Sequence, residues 1–208
     1  MADTEELLSV LRAHAEAQAG FSCLVSDALG RSGAMTASVR PMWPGARLLG
    51  PAFTVQPHGR DIGAVFTAID EATLGDVIVV ANDGTAATAH WGENATLLAL
   101  RRRLAGTVLG APCRDLEAHQ RLRYPLFATG ATPCGGLLGP RGATRVPISV
   151  GGLAVAPGDI VVADENGVAV IPAARIAEVA EAVPALLERE RQLQADIAAG
   201  RGISRRQP

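Results

Sequence analysis

The chain contains no lysine: all nineteen basic residues among its 208 are arginine. That absence excludes several chemistries together. There can be no Schiff-base lysine, no lysine-anchored pyridoxal phosphate and no phosphate-binding lysine of a Walker loop. An enzyme of this composition that needs an electron sink must use a metal ion, an arginine or backbone dipoles. Aromatic residues are also scarce, at 3%, so the core has to come from Ala, Val, Leu and Ile.

The three cysteines, Cys23, Cys113 and Cys134, are odd in number and far apart. No CxxC occurs, and His58, His90 and His119 lack HExxH-type spacing, so no structural zinc site is expected. A reduced, cytoplasmic setting fits this usage. The opening M-A-D-T-E-E-L-L has acids where a secretion signal needs bases, and no apolar run reaches membrane length. A net charge of −2 gives no general electrostatic reason to bind nucleic acid or a membrane surface.

What is present is a 48% apolar chain with 23 glycines and 13 prolines, a composition of many tight turns and short strands. The pattern predicts helices over 5–19, 22–29, 61–73, 92–104 and 173–199. It predicts strands at 51–56, 76–81, 106–109, 126–129, 147–150, 153–155, 160–163 and 168–171. Residues 31–50 and 130–142 read as loop. Elements alternate up to residue 130, strands then cluster, and one helix closes the chain. No linker or repeat divides residues 1–208, so a single α/β domain is expected.

Arg114-Asp115 is the most informative pair. It ends G-T-V-L-G-A-P-C-R-D, where an apolar strand gives way to a loop. An arginine there can clamp a carboxylate and polarise a carbonyl, and an aspartate can ligate a hard divalent cation. A solvated surface pair would look the same in sequence. His90-Trp91-Gly92-Glu93-Asn94 opens a helix whose first-turn N–H groups, around Gly92 to Ala95, form an anion site; an ordinary helix start is the alternative. If strands 76–81 and 106–109 are parallel, the helix start and the Arg-Asp pair share one sheet edge, where ligands collect. Glu190 falls on the stripe 176, 183, 190, 197, where an apolar residue is expected. It either pairs with an arginine or projects into a site, including that of a neighbouring subunit. Asp164 is expected to shape a hairpin, Asp27 to organise a helix end near the site, and Cys113 to pack. Gly135–Gly142 lacks the lysine and the following helix of a phosphate loop, and Arg101–Arg103 reads as a solvated helix face.

The order of S-D-A-L-G, G-P-A-F-T-V, G-D-V-I-V-V, W-G-E-N, the R-D run, G-G-L-A-V-A-P-G-D-I-V-V-A-D and G-V-A-V-I-P spans residues 26–172. It resembles the family of regulator of ribonuclease activity A and the class II 4-hydroxy-4-methyl-2-oxoglutarate aldolases. The resemblance implies an αββα sandwich of the swivelling β/β/α type with a C-terminal helix, assembled as trimers that pair into hexamers. It implies Mg²⁺ or Mn²⁺ bound through Asp115, with Arg114 on the pyruvyl oxygens. Backbone amides of Gly92, Glu93, Asn94 and Ala95 would hold the pyruvate carboxylate. Glu93, and Glu190 of an adjacent subunit, would contact metal-bound water, the candidate base for a 4-hydroxyl proton.

The implied activity is cleavage of 4-hydroxy-2-oxo acids, of the 4-hydroxy-4-methyl-2-oxoglutarate or 4-carboxy-4-hydroxy-2-oxoadipate type. The products are pyruvate and a second 2-oxo acid, and oxaloacetate decarboxylation proceeds through the same enolate. The alternative is a non-catalytic regulator of an RNA-degrading enzyme. That branch lacks the Asp of the R-D pair, so Asp115 points to the enzymatic one. A methyltransferase assignment finds no glycine-rich nucleotide fingerprint here.

Overall fold

The structure, a computed structural model, describes residues 4–84 and 88–202. In chain order its elements are α1 (Thr4–Ala17), α2 (Phe21–Ala28), β1 (Arg40–Pro41), β2 (Leu48–Gln56), α3 (Gly63–Glu71), β3 (Val77–Val80), α4 (Glu93–Arg101), β4 (Gly106–Leu109), α5 (Leu116–Arg121) and β5 (Leu126–Ala128). There follow β6 (Ala143–Thr144), β7 (Ile148–Val150), β8 (Leu153–Val155), β9 (Ile160–Asp164), β10 (Gly167–Ile171), a 3-10 turn at Ala173–Arg175 and α6 (Ile176–Ala198).

The near-continuous apolar runs form strands buried on both faces. β2, β3, β4 and β5 run parallel, in the spatial order β5-β4-β3-β2, with α3, α4 and α5 as the crossovers. Beyond β2 the sheet continues antiparallel through β9 and β10. β1 closes the far edge against β5, β6 pairs with the end of β2, and β7–β8 is a separate hairpin.

β2 is where the sheet turns a corner. Its first half, Leu48 to Pro51, pairs with β9, and its second, Ala52 to Val55, pairs with β3. Gly50 is required at the change, because a Cβ there would lie 2.1 Å from the Gly75 carbonyl oxygen. The two halves of the sheet then face each other. Val77, Val79, Val108 and Phe127 share one core with Val161, Ala163, Val168 and Val170. Alternate residues point the other way: Ile78, Val80 and Leu109 pack under α3 and α4, and Ile160, Val162 and Ile171 under α1, α2 and α6. Each such side chain contributes about 1.5–3 kcal/mol of burial, which is how a core poor in aromatics is held. The layers are therefore αββα, as expected.

Some local expectations fail for physical reasons. The segment 31–50, predicted as loop, contains β1 and the start of β2, because Gly50-Pro51 marks a corner rather than a loop. α5, only six residues long, begins directly after Asp115 without the periodicity that would announce it. α6 begins after a 3-10 turn, and its stripe leaves the body. Ile176, Val179 and Val183 are buried, Glu190 is exposed, and Ile197 is 50% exposed. Asp164 does shape its hairpin. It accepts from the Asn166 N–H (2.9 Å) and from Ser22 N–H and Oγ (2.8 Å each), tying β9 to the start of α2.

Candidate functional site

β3 and β4 are parallel and adjacent, so the start of α4 and the Arg114-Asp115 turn meet at one sheet edge. The chain segments there are laced together. The His90 N–H donates to the Pro112 carbonyl and the Arg114 N–H to that of Trp91, each at 2.9 Å. On the other side the Cys113 N–H reaches Gly130 O (2.9 Å) and the Ala89 N–H reaches Cys134 O (2.7 Å).

Arg114 runs between two glycines. A Cβ on Gly92 would lie 3.1 Å from Arg114 Cγ and Nε, and one on Gly135 would lie 2.7 Å from Nη1. Gly92 has an extended backbone (φ −153°) that any residue can adopt, so space, not conformation, demands glycine. The slot leaves the guanidinium side chain 46% exposed and 3.4 Å from Asp115 Oδ2. Asp115 itself sits at φ 60°, ψ 45°, a left-handed conformation that non-glycine residues rarely adopt. Aspartate is among the non-glycine residues that best tolerate it, and the turn directs the chain into α5.

The same carboxylate caps α4. Asp115 Oδ2 accepts from the Glu93 N–H at 2.9 Å. The Thr96 N–H is the first to bond within the helix, to Gly92 O at 3.1 Å. The N–H groups of Asn94 and Ala95 therefore point out of the helix end toward the cleft. Of the amides expected to hold a carboxylate, that of Glu93 is already engaged. The Glu93 carboxylate is ion-paired with Arg121 of α5.

Behind the turn runs a buried relay. Trp91 Nε1–H donates to Thr96 Oγ1 (2.8 Å), which lies 2.9 Å from His119 Nδ1, and His119 Nε2 lies 2.6 Å from the Arg114 carbonyl oxygen. A carbonyl can only accept, so Nε2 carries the hydrogen and Nδ1 accepts from Thr96. Burial holds the His119 pKa below its ordinary value, consistent with this neutral form. Cys113 is inert: burial pushes its thiol up to about 12.

The glycine-rich run 135–142 is no phosphate loop, yet it is not idle. Gly135, Gly136 and Leu138 wall a cleft of about 140 Å³ that Ile62, Phe66, His90, Gly92, Glu93, Asn94, Ala95 and Arg114 also line. Asp61 pins this wall, accepting from the Gly63 and Gly139 N–H groups (2.9 Å each) and from Arg141 N–H (3.0 Å). These bonds, that from Gly63 foremost, hold the Asp61 pKa below the usual carboxylate range against the opposing effect of burial. Neither Asp61 nor His119 stood out in the sequence. The available signal was Asp61 at a helix start, two residues before Gly63.

The predicted residues Gly92, Glu93, Asn94, Ala95, Arg114 and Asp115 are thus brought together. Glu190 is not. It lies on α6, in the layer with α1 and α2, and within this protomer its carboxylate accepts from Gln194 Nε2 at 3.4 Å. Asp27 also sits in that layer, 4.0 Å from Arg31, and not near the site as expected. A cavity of about 270 Å³ between α1 and the β2–β9 corner is lined by Arg12, Arg47 and Asp164. It is larger than the cleft, but neither the Arg114-Asp115 turn nor the start of α4 lines it.

Among the described residues no group of three or more His, Cys, Asp or Glu is poised to hold a metal. A closed structural cage is therefore absent from them. A hard divalent cation that keeps most of its waters asks less: one or two carboxylates and the oxygens of a substrate. Asp115, with its side chain 38% exposed, fits that description, and Glu93 lines a surface hollow with it.

The chain is similar to protein DlpA of Legionella pneumophila, with 36% identity over 180 residues, covering 84% of this chain but only 29% of DlpA. It is 32% identical over 127 residues to a 4-hydroxy-4-methyl-2-oxoglutarate aldolase of Thermus thermophilus, covering 61% of this chain and 77% of that one. The crystal structure of Streptomyces coelicolor RraAS2, described as an unusual member of the RNase ES inhibitor RraA protein family, superposes with a TM-score of 0.73. It is 27% identical and matches 90% of this chain and 95% of its own. A model of the RraA-like family, described as Aldolase/RraA, matches residues 22–170. With that match over most of its length, and with the αββα layers built as in RraAS2, the chain belongs to the RraA-like family.

Proposed function

We propose that the chain is a divalent-cation-dependent lyase. It would release pyruvate from 4-hydroxy-2-oxo acids, with a second 2-oxo acid as co-product, and decarboxylate oxaloacetate. The observation that carries this reading is the glycine-walled slot that runs Arg114 into the cleft with the open first turn of α4, 3.4 Å from the Asp115 carboxylate. The N–H groups of Asn94 and Ala95, aided by the helix dipole, hold the substrate carboxylate. Arg114 donates to the keto oxygen and stabilises it more strongly as negative charge develops there, the differential binding that lowers the barrier. Asp115 would hold Mg²⁺ or Mn²⁺, and Glu93 would orient its water shell. When bound, the cation supplies further positive charge to the same oxygen. The name of the Thermus relative supports the substrate class.

The assembly in this reading is a trimer, able to pair into a hexamer, in which a neighbour's α6 brings Glu190 toward the site. The setting is cytoplasmic. Among the described residues no helix is long and apolar enough to cross a membrane.

Pyruvate release from 4-hydroxy-4-methyl-2-oxoglutarate and from oxaloacetate, coupled to lactate dehydrogenase with and without Mg²⁺ or Mn²⁺, tests the proposal. Asp115→Ala should lower both activities roughly 100-fold or more, as should excess chelator. Full activity in either case sinks the mechanism. The description of RraAS2 favours a second reading, a non-catalytic regulator of an RNA-degrading enzyme. That reading expects capture of such an enzyme, unaffected by Asp115→Ala, and no pyruvate release from the wild type.

A further inference from the structure

The lining of the cleft beside Arg114 is of two kinds. Arg114 and the first turn of α4 are polar; Ile62, Phe66 and Leu138 are apolar. Two consecutive glycines join them. A Cβ on Gly135 would lie 2.7 Å from Arg114 Nη1, and one on Gly136 would lie 2.6 Å from Ile62 Cγ2. The apolar part is firmly built. The Ile62 N–H donates to Leu137 O (2.9 Å), the Leu137 N–H donates to Arg60 O (2.8 Å), and Asp61 ties in Gly139 and Arg141. Ile62 and Phe66 are half-buried and Leu138 is 75% exposed, so all three keep apolar surface open to solvent.

Charge in this lining is confined to Arg114 and Glu93, and Glu93 is paired with Arg121. His90 adds none. It is wholly buried, its ring nitrogens have no hydrogen-bond partner among the described residues, and burial lowers its basicity. Arg60 directs Nη2 to Cys134 Sγ (3.5 Å) and is not among the residues that line the cleft. With Arg114 on the pyruvyl oxygens, the described lining offers no cation for a second anionic group. A carboxylate pressed against Ile62, Phe66 and Leu138 would lose water and gain no partner.

We propose that Ile62, Phe66 and Leu138 select the substrate by its C4 substituent, admitting a short alkyl group and disfavouring a charged one. The proposal rests on the lyase reading above. In both aldol substrates C4 carries a hydroxyl, a carboxylate and one further group. That group is methyl in 4-hydroxy-4-methyl-2-oxoglutarate and carboxymethyl in 4-carboxy-4-hydroxy-2-oxoadipate. The hydroxyl is engaged in the reaction, so one of the other two meets the apolar lining and the other faces solvent. The methyl compound can seat its methyl there and leave its carboxylate to water. The carboxymethyl compound must place a carboxylate there whichever way it turns.

The test compares kcat/KM for the two compounds, read as pyruvate release with Mg²⁺, in the wild type, Leu138→Arg and Leu138→Glu. Leu138 is 75% exposed, so either charge can stay in water without unfolding the chain, and an unchanged thermal transition checks each variant. The wild type should favour the methyl compound by about tenfold or more. Leu138→Arg should shift the ratio about tenfold toward the carboxymethyl compound and Leu138→Glu should shift it the other way, both shifts shrinking as salt is raised. A mere change of packing would not reverse with the sign of the charge. A wild type that cleaves the carboxymethyl compound as well or better overturns the proposal, as do two variants that move the ratio the same way or leave it unmoved. Oxaloacetate decarboxylation separates that failure from failure of the lyase reading. Pyruvate from oxaloacetate and from both aldol compounds without preference keeps the lyase reading and refutes the selection; pyruvate from none of the three refutes the lyase reading and the selection with it.

Discussion

Arg114 is held as much by what its neighbours lack as by what they supply. Gly92 and Gly135 leave the room that the side chain occupies. A methyl group on Gly92 would sit 2.6 Å from Asp115 Oδ2, so Gly92→Ala must displace the carboxylate or the arginine. The backbone there is extended, so the substitution should leave the thermal midpoint within a few degrees while pyruvate release falls roughly 100-fold or more. A fully active alanine variant would show that the slot has no functional meaning. Arg114, Asp115 and the amides of 92–95 were legible in the sequence because their chemistry is local: a charge pair at a strand end and glycine before a helix. Asp61 and His119 were not, because their meaning lies in partners 78 and 23 residues away in the chain. His90 was visible as a residue, but burial and missing partners are properties only a fold can give it.

At the scale of elements, α4 and α5 are coupled through Trp91, Thr96 and His119, and this coupling fixes the carbonyl of Arg114. Both His90 and His119 have pKa values lowered by burial from an ordinary 6.5. Their effect on stability has a definite sign. Below pH 6.5 the unfolded chain takes up protons that the native state refuses, so the native state loses ground as pH falls toward the lowered native values. Above 6.5 their contribution is complete. Each histidine adds up to about 1.4 kcal/mol of unfolding free energy per pH unit within that window. Urea unfolding at pH 7.5 and pH 5.5 should show this decline, and His119→Gln should make it shallower. A pH-independent midpoint would contradict the buried neutral forms.

The strands of this coupled layer were easy to read, since a run such as Val77–Val80 can only be a strand covered on both faces. α5 was hard for the opposite reason. Six residues hold too little periodicity, and what fixes the helix is Asp115 turning the chain and His119 docking behind it.

At the scale of the whole molecule, the two helical layers are finished to different degrees. α6 begins in the core, and its apolar stripe is less covered toward its end: Leu193 is only partly buried and Ile197 is half exposed. The sequence stripe was read correctly as apolar, but it continues beyond the surface of one protomer. In the proposed trimer this half of α6 is buried between subunits. Leu193→Glu combined with Ile197→Glu should therefore shift sedimentation toward monomer and lower pyruvate release, with little loss of monomer stability. An unchanged assembly would place the interface elsewhere.

The shared strand β2 has one more consequence. Because its first half is hydrogen-bonded to β9 and its second to β3, neither half of the sheet can unfold without disturbing a strand that also belongs to the other. The cleft and the α1–α2–α6 layer are thus parts of one cooperative unit. Damage remote from the cleft, at the Gly50 corner for instance, should therefore reach it as all-or-none loss of folded molecules and not as a graded local change.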